Sequence, residues 1–121
     1  MALVVGVGLA IGAGPAIGQT EAGRLLEAIK RQDGAAVPAL LDAGADVNRV
    51  QGDGATALHW AVYWNDVPTT QLLLAAGATV GAANDLGVTP LWLACNNGSA
   101  VLVQTLLEAG ADPNITLPSG E

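Results

Sequence analysis

The chain has 121 residues, with 11 acidic and 4 basic side chains, one His, one Cys and no Phe. This length fits one ordinary domain and excludes a large multidomain enzyme. The net charge of −7 argues against nucleic-acid binding, since phosphate recognition depends on clustered Lys and Arg. One Cys excludes an intrachain disulfide and a cysteine-based zinc cluster. Because 51% of the residues are apolar but only 3% are aromatic, the core must consist of Ala, Leu and Val, which favours closely packed helices.

The first twenty residues contain no charged side chain, and the run from Ala2 to Ile17 is apolar apart from glycines and Pro15. A short apolar segment ending in small residues is typical of a secretory leader. We therefore expect residues 1–18 to be a signal peptide and the protein to be secreted or periplasmic. No Lys or Arg precedes the apolar run, which leaves two alternatives: a retained membrane anchor, or a cytoplasmic protein with a wrongly assigned start.

The leader also contains a glycine pattern, Val4–Gly12, that resembles a dinucleotide-binding turn. Such a turn requires a full strand before it and a helix after it, with the helix N-terminus facing the pyrophosphate. Here only residues 2–5 could form the strand, and Pro15 interrupts the helix. We therefore expect no nucleotide and no other cofactor.

From residue 21 the sequence matches itself at a spacing of 33 residues. A fixed period of this length is the signature of stacked structural repeats. The residues that recur in this register include Gly44, Gly77 and Gly110, Thr56 and Thr89, Leu58 and Leu91, and Ala61 and Ala94. The frame predicts a degenerate first repeat at 19–49, full repeats at 50–82 and 83–115, and the start of a further repeat at 116–121.

Each unit has the signals of two short helices. Thr56 and Thr89 are placed as N-caps, and Pro90 stands at a first helical position, where its missing N–H costs nothing. Asn65 and Gly98 occupy equivalent sites and tolerate the left-handed conformation that ends a helix. The recurring glycines Gly44, Gly77 and Gly110 are placed to end the second helix.

The segments 89–94 and 55–61 resemble the TPLHxA opening of ankyrin repeats, and the segments 40–48 and 106–114 resemble their LLxxGADxN close. The resemblance extends from Glu21 to the C-terminus but is weaker in the first unit, where Gly23 stands in place of Thr. It implies an all-α solenoid of stacked helix–turn–helix units with projecting turn fingers. It also implies a non-catalytic scaffold that binds a protein partner.

Candidate chemical groups have simpler explanations than catalysis. The resemblance implies that His59 hydrogen-bonds the backbone of a neighbouring turn, and no second His or nearby Cys accompanies it as a metal ligand. Cys95 follows Ala94 at the position equivalent to Val62, so we expect a buried, inert thiol. Carboxylates such as Asp46 stand in the loops that close the repeats, where solvated acids are ordinary and oxygen ligands are too sparse for calcium. We therefore predict no catalytic residue and no metal site.

The aromatic residues suggest where a partner binds. Trp60, Tyr63 and Trp64 lie within one predicted helix, and large aromatic side chains dominate interface energetics. The resemblance places Tyr63 and Trp64 at the concave end of that helix, together with Asn96 and Asn97; packing between repeats is the alternative role for the rings. The finger tips are the other contact positions that the resemblance implies, namely Asp53, Ala55, Asp85, Leu86 and Val88, followed by Pro118 and Ser119.

Charge is unevenly distributed along the chain. Residues 21–49 carry 5 acidic and 4 basic groups, whereas residues 50–121 carry 6 acidic groups and no basic group. A partner with exposed basic or apolar groups is therefore expected. We also expect the chain to be part of a longer protein, because repeat arrays need terminal units with polar outer faces. An accessory targeting module of a larger exported enzyme is thus the alternative to a pure scaffold.

Overall fold

The computed structural model describes residues 21–114, and in this range the protein is an all-helical repeat fold. The predicted leader at 1–18 and the predicted repeat start at 116–121, with Pro118 and Ser119, lie outside the described residues. The α-helices in chain order are α1 (Glu21–Lys30), α2 (Val37–Asp42), α3 (Ala57–Tyr63), α4 (Val67–Ala75), α5 (Pro90–Asn97) and α6 (Ala100–Glu108), and a short 3-10 helix (Gly34–Ala36) precedes α2.

The helices form three antiparallel pairs that stack in sequence order. Within each pair the two helices pack on one another, and helix α3 also packs between α1 and α5. The first helices of the pairs (α1, α3 and α5) form one row, and the second helices (α2, α4 and α6) form the other. In the second row, α4 and α6 contact each other. The three pairs correspond to the three repeats, and the main contacts between described pairs join neighbours in the chain.

Side-chain caps explain why the helices begin where they do. The hydroxyl of Thr56 accepts a hydrogen bond from His59 N–H at 3.4 Å, and that of Thr89 accepts from Trp92 N–H at 3.2 Å. The second helices are capped in the same way, by Asp66 for α4 and by Ser99 for α6. Asp66 and Ser99 lie 33 residues apart and were missed as caps, although Asp and Ser at one register position are themselves an N-cap signal.

Left-handed residues end the helices at the predicted register. Asn65 has φ 58° and Gly98 has φ 73°, and Gln32, at the equivalent position of the first repeat, has φ 59°. Gln32 carries no sequence signal for this conformation, so the repeat frame alone could have identified it. The glycines that close the second helices also have positive φ: 90° at Gly44, 98° at Gly77 and 103° at Gly110.

The core is a row of Leu and Ala side chains shared between adjacent pairs. Leu58 and Ala61 on α3 are fully buried, and their equivalents in the other two first helices are buried as well. Leu73 on α4 and Leu106 on α6 are fully buried from the opposite row. Small Ala side chains allow the first helices to approach closely, which leaves Leu to fill the space between the rows.

Cys95 is exposed, and the prediction of a buried thiol was wrong. Its equivalent, Val62, is fully buried where the third repeat packs against α3, and Asn97 Nδ2 donates to the Val62 carbonyl oxygen at 2.9 Å. Within residues 21–114, α5 is the last helix of its row, so no described repeat covers Cys95. The same register position is therefore buried or exposed according to its place in the stack.

None of the helices described between residues 21 and 114 has the length and apolar character needed to cross a membrane.

The two projecting fingers between helix pairs, residues 51–55 and 84–88, approach each other closely. Asp85 N–H donates to the Asp53 carbonyl oxygen at 2.8 Å, which joins the fingers through their backbones. Gly54 lies at this approach with φ 84°, and a Cβ atom there would come within 2.9 Å of Asp85 Oδ1 and 3.1 Å of Asp85 N. Only glycine meets both the conformational and the steric demand.

We predict that Gly54→Ala destabilises the protein more than Gly77→Ala does. Gly77 also has a positive φ, of 98°, but an added Cβ there has nothing within 4 Å. Both variants incur the left-handed strain of about 1–3 kcal/mol, and only Gly54→Ala must also displace backbone. Urea unfolding measures the difference, and equal losses for the two variants would contradict a steric role for the finger contact.

Candidate functional site

The fingers owe their shape to local hydrogen bonds. In the first finger, Gln51 N–H donates to the Ala55 carbonyl at 2.9 Å, and in the second Asn84 N–H donates to the Val88 carbonyl at 3.0 Å. Asn84 Oδ1 also accepts from Val88 N–H at 3.0 Å. Asp53 Oδ1 accepts from Ala55 N–H at 3.0 Å. Each finger therefore presents its side chains on a closed, internally bonded loop.

His59 joins the helix to the next finger. Its Nδ1 accepts from Thr56 N–H at 3.0 Å, so the proton lies on Nε2, which donates to the Val88 carbonyl at 2.8 Å. Burial lowers the pKa of His59, although the bond to Val88 acts in the opposite direction. The neutral imidazole is thus a structural link between two repeats, as the resemblance implied, and both of its ring nitrogens are occupied.

The three aromatic side chains of α3 and its C-cap form one cluster, which we call the aromatic cluster: Trp60, Tyr63 and Trp64. The Tyr63 ring meets Trp60 edge-on at 5.6 Å between centroids and Trp64 edge-on at 5.0 Å. Trp60 Nε1 donates to Gln51 Oε1 at 3.2 Å, which ties the cluster to the first finger. The Nζ atom of Lys30, from the first repeat, lies 5.7 Å from a Trp60 ring centroid. Trp60 is therefore contacted from two sides, and Tyr63 and Trp64 pack against it.

A cleft of about 260 Å³ lies between the fingers and the first helices. Its floor and walls combine rings, aliphatic side chains and one carboxylate, whereas Trp64 adjoins it through Tyr63. We call this site the cleft, and the residues that line it are Asp53, Ala55, His59, Trp60, Tyr63, Asn84, Val88 and Leu93. Mostly apolar concave sites with a few placed polar groups are the usual form of a binding site.

Asp53 supplies the negative charge of the cleft. Hydrogen bonds from Ala55 N–H and from Gln51 Nε2, the latter at 2.9 Å, lower the pKa of the Asp53 carboxyl. The carboxylate therefore stays ionised at neutral pH. Because its side chain is solvent-exposed, it can receive a ligand cation.

The comparison with known families agrees with this architecture. A family model described as "Ankyrin repeats (3 copies)" matches residues 25–116. The chain belongs to the ankyrin repeat family. No curated protein matches the chain. Ankyrin repeats generally mediate protein–protein interaction, and ankyrin repeat domains are typically non-catalytic.

The structure brings several of the predicted contact residues of this ankyrin repeat chain to one surface. Asp53, Tyr63 and Val88 line the cleft, and Trp64 stands beside it. Asp85 is exposed on the second finger, and Leu86 is 75% exposed there.

Ala55 does not fit the predicted role of an exposed finger tip. It is only 6% exposed. Its N–H and carbonyl both hold the finger closed, and the residue contributes to the wall of the cleft. Asn96 and Asn97 are exposed on α5, but the Asn97 amide is engaged by the C-terminal carbonyls of α3. Ala55 and Asn97 thus shape the surface by supporting its backbone.

Sequence reasoning missed two polar residues that organise the loops. Asn84 orders the second finger through its backbone and side-chain bonds to Val88. Asn48 bridges the first two repeats, because its Oδ1 accepts from Thr79 N–H at 2.8 Å and its Nδ2 donates to the Gly77 carbonyl at 3.2 Å. Asn48 belongs to the closing motif of the first repeat, but the motif does not show that its side chain bonds the backbone about one repeat away.

Between residues 21 and 114, no three His, Cys, Asp or Glu side chains are grouped so that they could hold a metal ion. The loop carboxylates have backbone partners instead: Asp46 Oδ1 accepts from Asn48 N–H and Asp112 Oδ1 accepts from Asn114 N–H, both at 2.9 Å. These are local turn interactions of the Asx type.

We predict that the chain loses stability as the pH falls below about 6.5, the ordinary pKa of histidine. The folded state lowers the pKa of His59, so the unfolded chain takes up the proton first and is favoured as the pH falls. The contribution of neutral His59 to the free energy of unfolding is fully present above that pH and is lost as the pH falls below it. Urea midpoints at pH 7.5 and pH 5.5 measure the change.

His59→Gln is the control for this prediction, because the chain has no other His. The variant should show a smaller change between the two pH values, whatever its absolute stability. An equal change in the variant would assign the pH dependence to other groups.

Proposed function

We propose that this chain is a non-catalytic scaffold that binds a protein partner through the cleft and the aromatic cluster. The observation that carries the proposal is the exposure of Tyr63 and Trp64, at 52% and 37%, beside the cleft. Large exposed apolar side chains grouped at a concave site are typical of interaction surfaces. Their grouping favours partner contact over packing between repeats as the role of these two rings.

The fixed geometry of the aromatic cluster supports the same function. Immobilising mobile side chains on binding costs free energy, and this cost is smaller for rings that are already held in place. Trp60 is fixed by Gln51 and by the neighbouring Lys30, and Tyr63 packs edge-on against it. The fingers add a second rigid wall, because a backbone hydrogen bond joins them at Asp85.

The proposal predicts that Tyr63→Ala/Trp64→Ala loses the partner in an affinity pull-down from extracts of the source cells. Truncation of central aromatic residues typically costs about 2 kcal/mol or more in binding. Leu72→Ala/Val101→Ala is the matched control, since these side chains are 38% and 57% exposed on α4 and α6, away from the cleft. The control variant should retain the proteins that the unmodified chain retains. Unchanged retention by the Tyr63→Ala/Trp64→Ala variant would reject the aromatic cluster as the binding site.

We further propose that the scaffold acts outside the cytoplasm, after export by a cleaved leader at residues 1–18. The support is the uncharged, apolar sequence of residues 1–20. A role as the targeting module of a larger exported enzyme is compatible with the same surface and the same leader.

Export predicts that the native protein begins close to Gln19 and is recovered outside the cytoplasm. N-terminal sequencing of protein from separated cell fractions measures both points. An intact Met1 in the cytosolic fraction would contradict export, and an intact Met1 in the membrane fraction would favour an anchor.

A further inference from the structure

The cleft pairs apolar walls with a single formal charge. Of its eight lining residues, Asp53 alone is charged at neutral pH, because His59 is neutral. Trp60 and Tyr63 supply ring faces and edges, and Val88 and Leu93 supply aliphatic contact. A ligand that fits this lining has a long apolar or planar stem and a positive end.

The Asp53 carboxylate is held in position and retains acceptor capacity. In the described part of the chain, the hydrogen bonds that it accepts from other residues, Ala55 N–H and Gln51 Nε2, both end on Oδ1. A carboxylate offers about four lone-pair sites on its two oxygens. Oδ2 can therefore accept from a bound cation without disturbing the finger.

The protein already places one cation against these rings. Lys30 Nζ lies 5.7 Å from the centroid of a Trp60 ring, within the range of about 6 Å for cation–π attraction. Lys30 comes from the first repeat, and residues 50–121 contain no Lys or Arg that could neutralise Asp53 from the second or third. A cation that complements Asp53 therefore comes from the partner or from the first repeat, whose basic residues are Arg24, Lys30, Arg31 and Arg49. Of these, Lys30 lies against Trp60.

We propose that the cleft binds an arginine side chain of the protein partner, with its guanidinium paired to Asp53 and stacked on the ring of Tyr63. Arginine fits better than lysine because its planar guanidinium can stack on a ring and hydrogen-bond a carboxylate at the same time, whereas an ammonium is a compact, strongly hydrated charge. This inference rests on the proposed function, and it names the chemistry by which the partner is recognised.

The test uses the full chain, ¹⁵N-labelled, and three acetylated and amidated tripeptides with glycine on either side of arginine, citrulline or lysine. Citrulline has the shape of arginine without its charge. We expect the arginine peptide to shift the amide signals of the finger residues saturably. The citrulline peptide should bind with an affinity lower by about fivefold or by a larger factor. Equal affinity for citrulline would overturn the proposal, and equal affinity for lysine would overturn the choice of arginine.

A matched pair of variants locates the charge. Asp53→Asn should weaken binding of the arginine peptide to the level of citrulline, because the amide keeps the acceptor for Ala55 N–H but carries no charge. Asp112→Asn removes one charge from the third repeat, at a carboxylate that likewise accepts from a backbone N–H two residues later, and should leave binding unchanged. Equal effects of the two variants would overturn the proposal in favour of a general acidic field.

The two proposals can fail separately. Loss of the partner from Tyr63→Ala/Trp64→Ala, with no discrimination between arginine and citrulline, would leave the scaffold standing and reject arginine recognition. Discrimination by the peptides together with unchanged partner binding by Tyr63→Ala/Trp64→Ala would support the cleft as an arginine site and reject the aromatic cluster as the place where that partner binds.

Discussion

Burial of apolar side chains between adjacent helix pairs is the interaction on which this structure depends. The helices described between residues 21 and 114 have at most ten residues, and isolated helices of that length are marginal in water. One pair alone also cannot cover its own Leu and Ala face, and Leu58 and Ala61 are fully buried where α3 packs between α1 and α5. The stability of each repeat is therefore a property of its neighbours as much as of itself.

The cleft follows from this stacking, since its residues come from two repeats. His59 fixes the spacing between α3 and the second finger through the Val88 carbonyl, and Asp85 N–H fixes the spacing between the two fingers. A single buried, neutral imidazole and a single close backbone approach at Gly54 thus set the width of the binding site. Stability and recognition are coupled at these points, because the bonds that join the repeats also form the walls.

Much of the fold could be predicted from the sequence, because periodicity and capping are local signals. Thr56, Thr89 and Pro90 start helices where their chemistry requires, and Asn65 and Gly98 end them. The site was less predictable. Exposure of Cys95 and the bridge made by Asn48 each depend on which residues of another repeat lie opposite, and a sequence motif contains no such information.

The repeat register, the helical class and the acidic character of the second and third repeats could be predicted from the sequence alone. These follow from the spacing of apolar residues, from the conformational preferences of Thr, Pro, Gly and Asn, and from a count of charges. The shared cleft of Asp53, Tyr63 and Val88 and the exposure of Cys95 became evident from the packing of the repeats. The physical reason is that a residue's identity sets its local conformation, whereas its surroundings are set by the stacking of units that are distant in the chain.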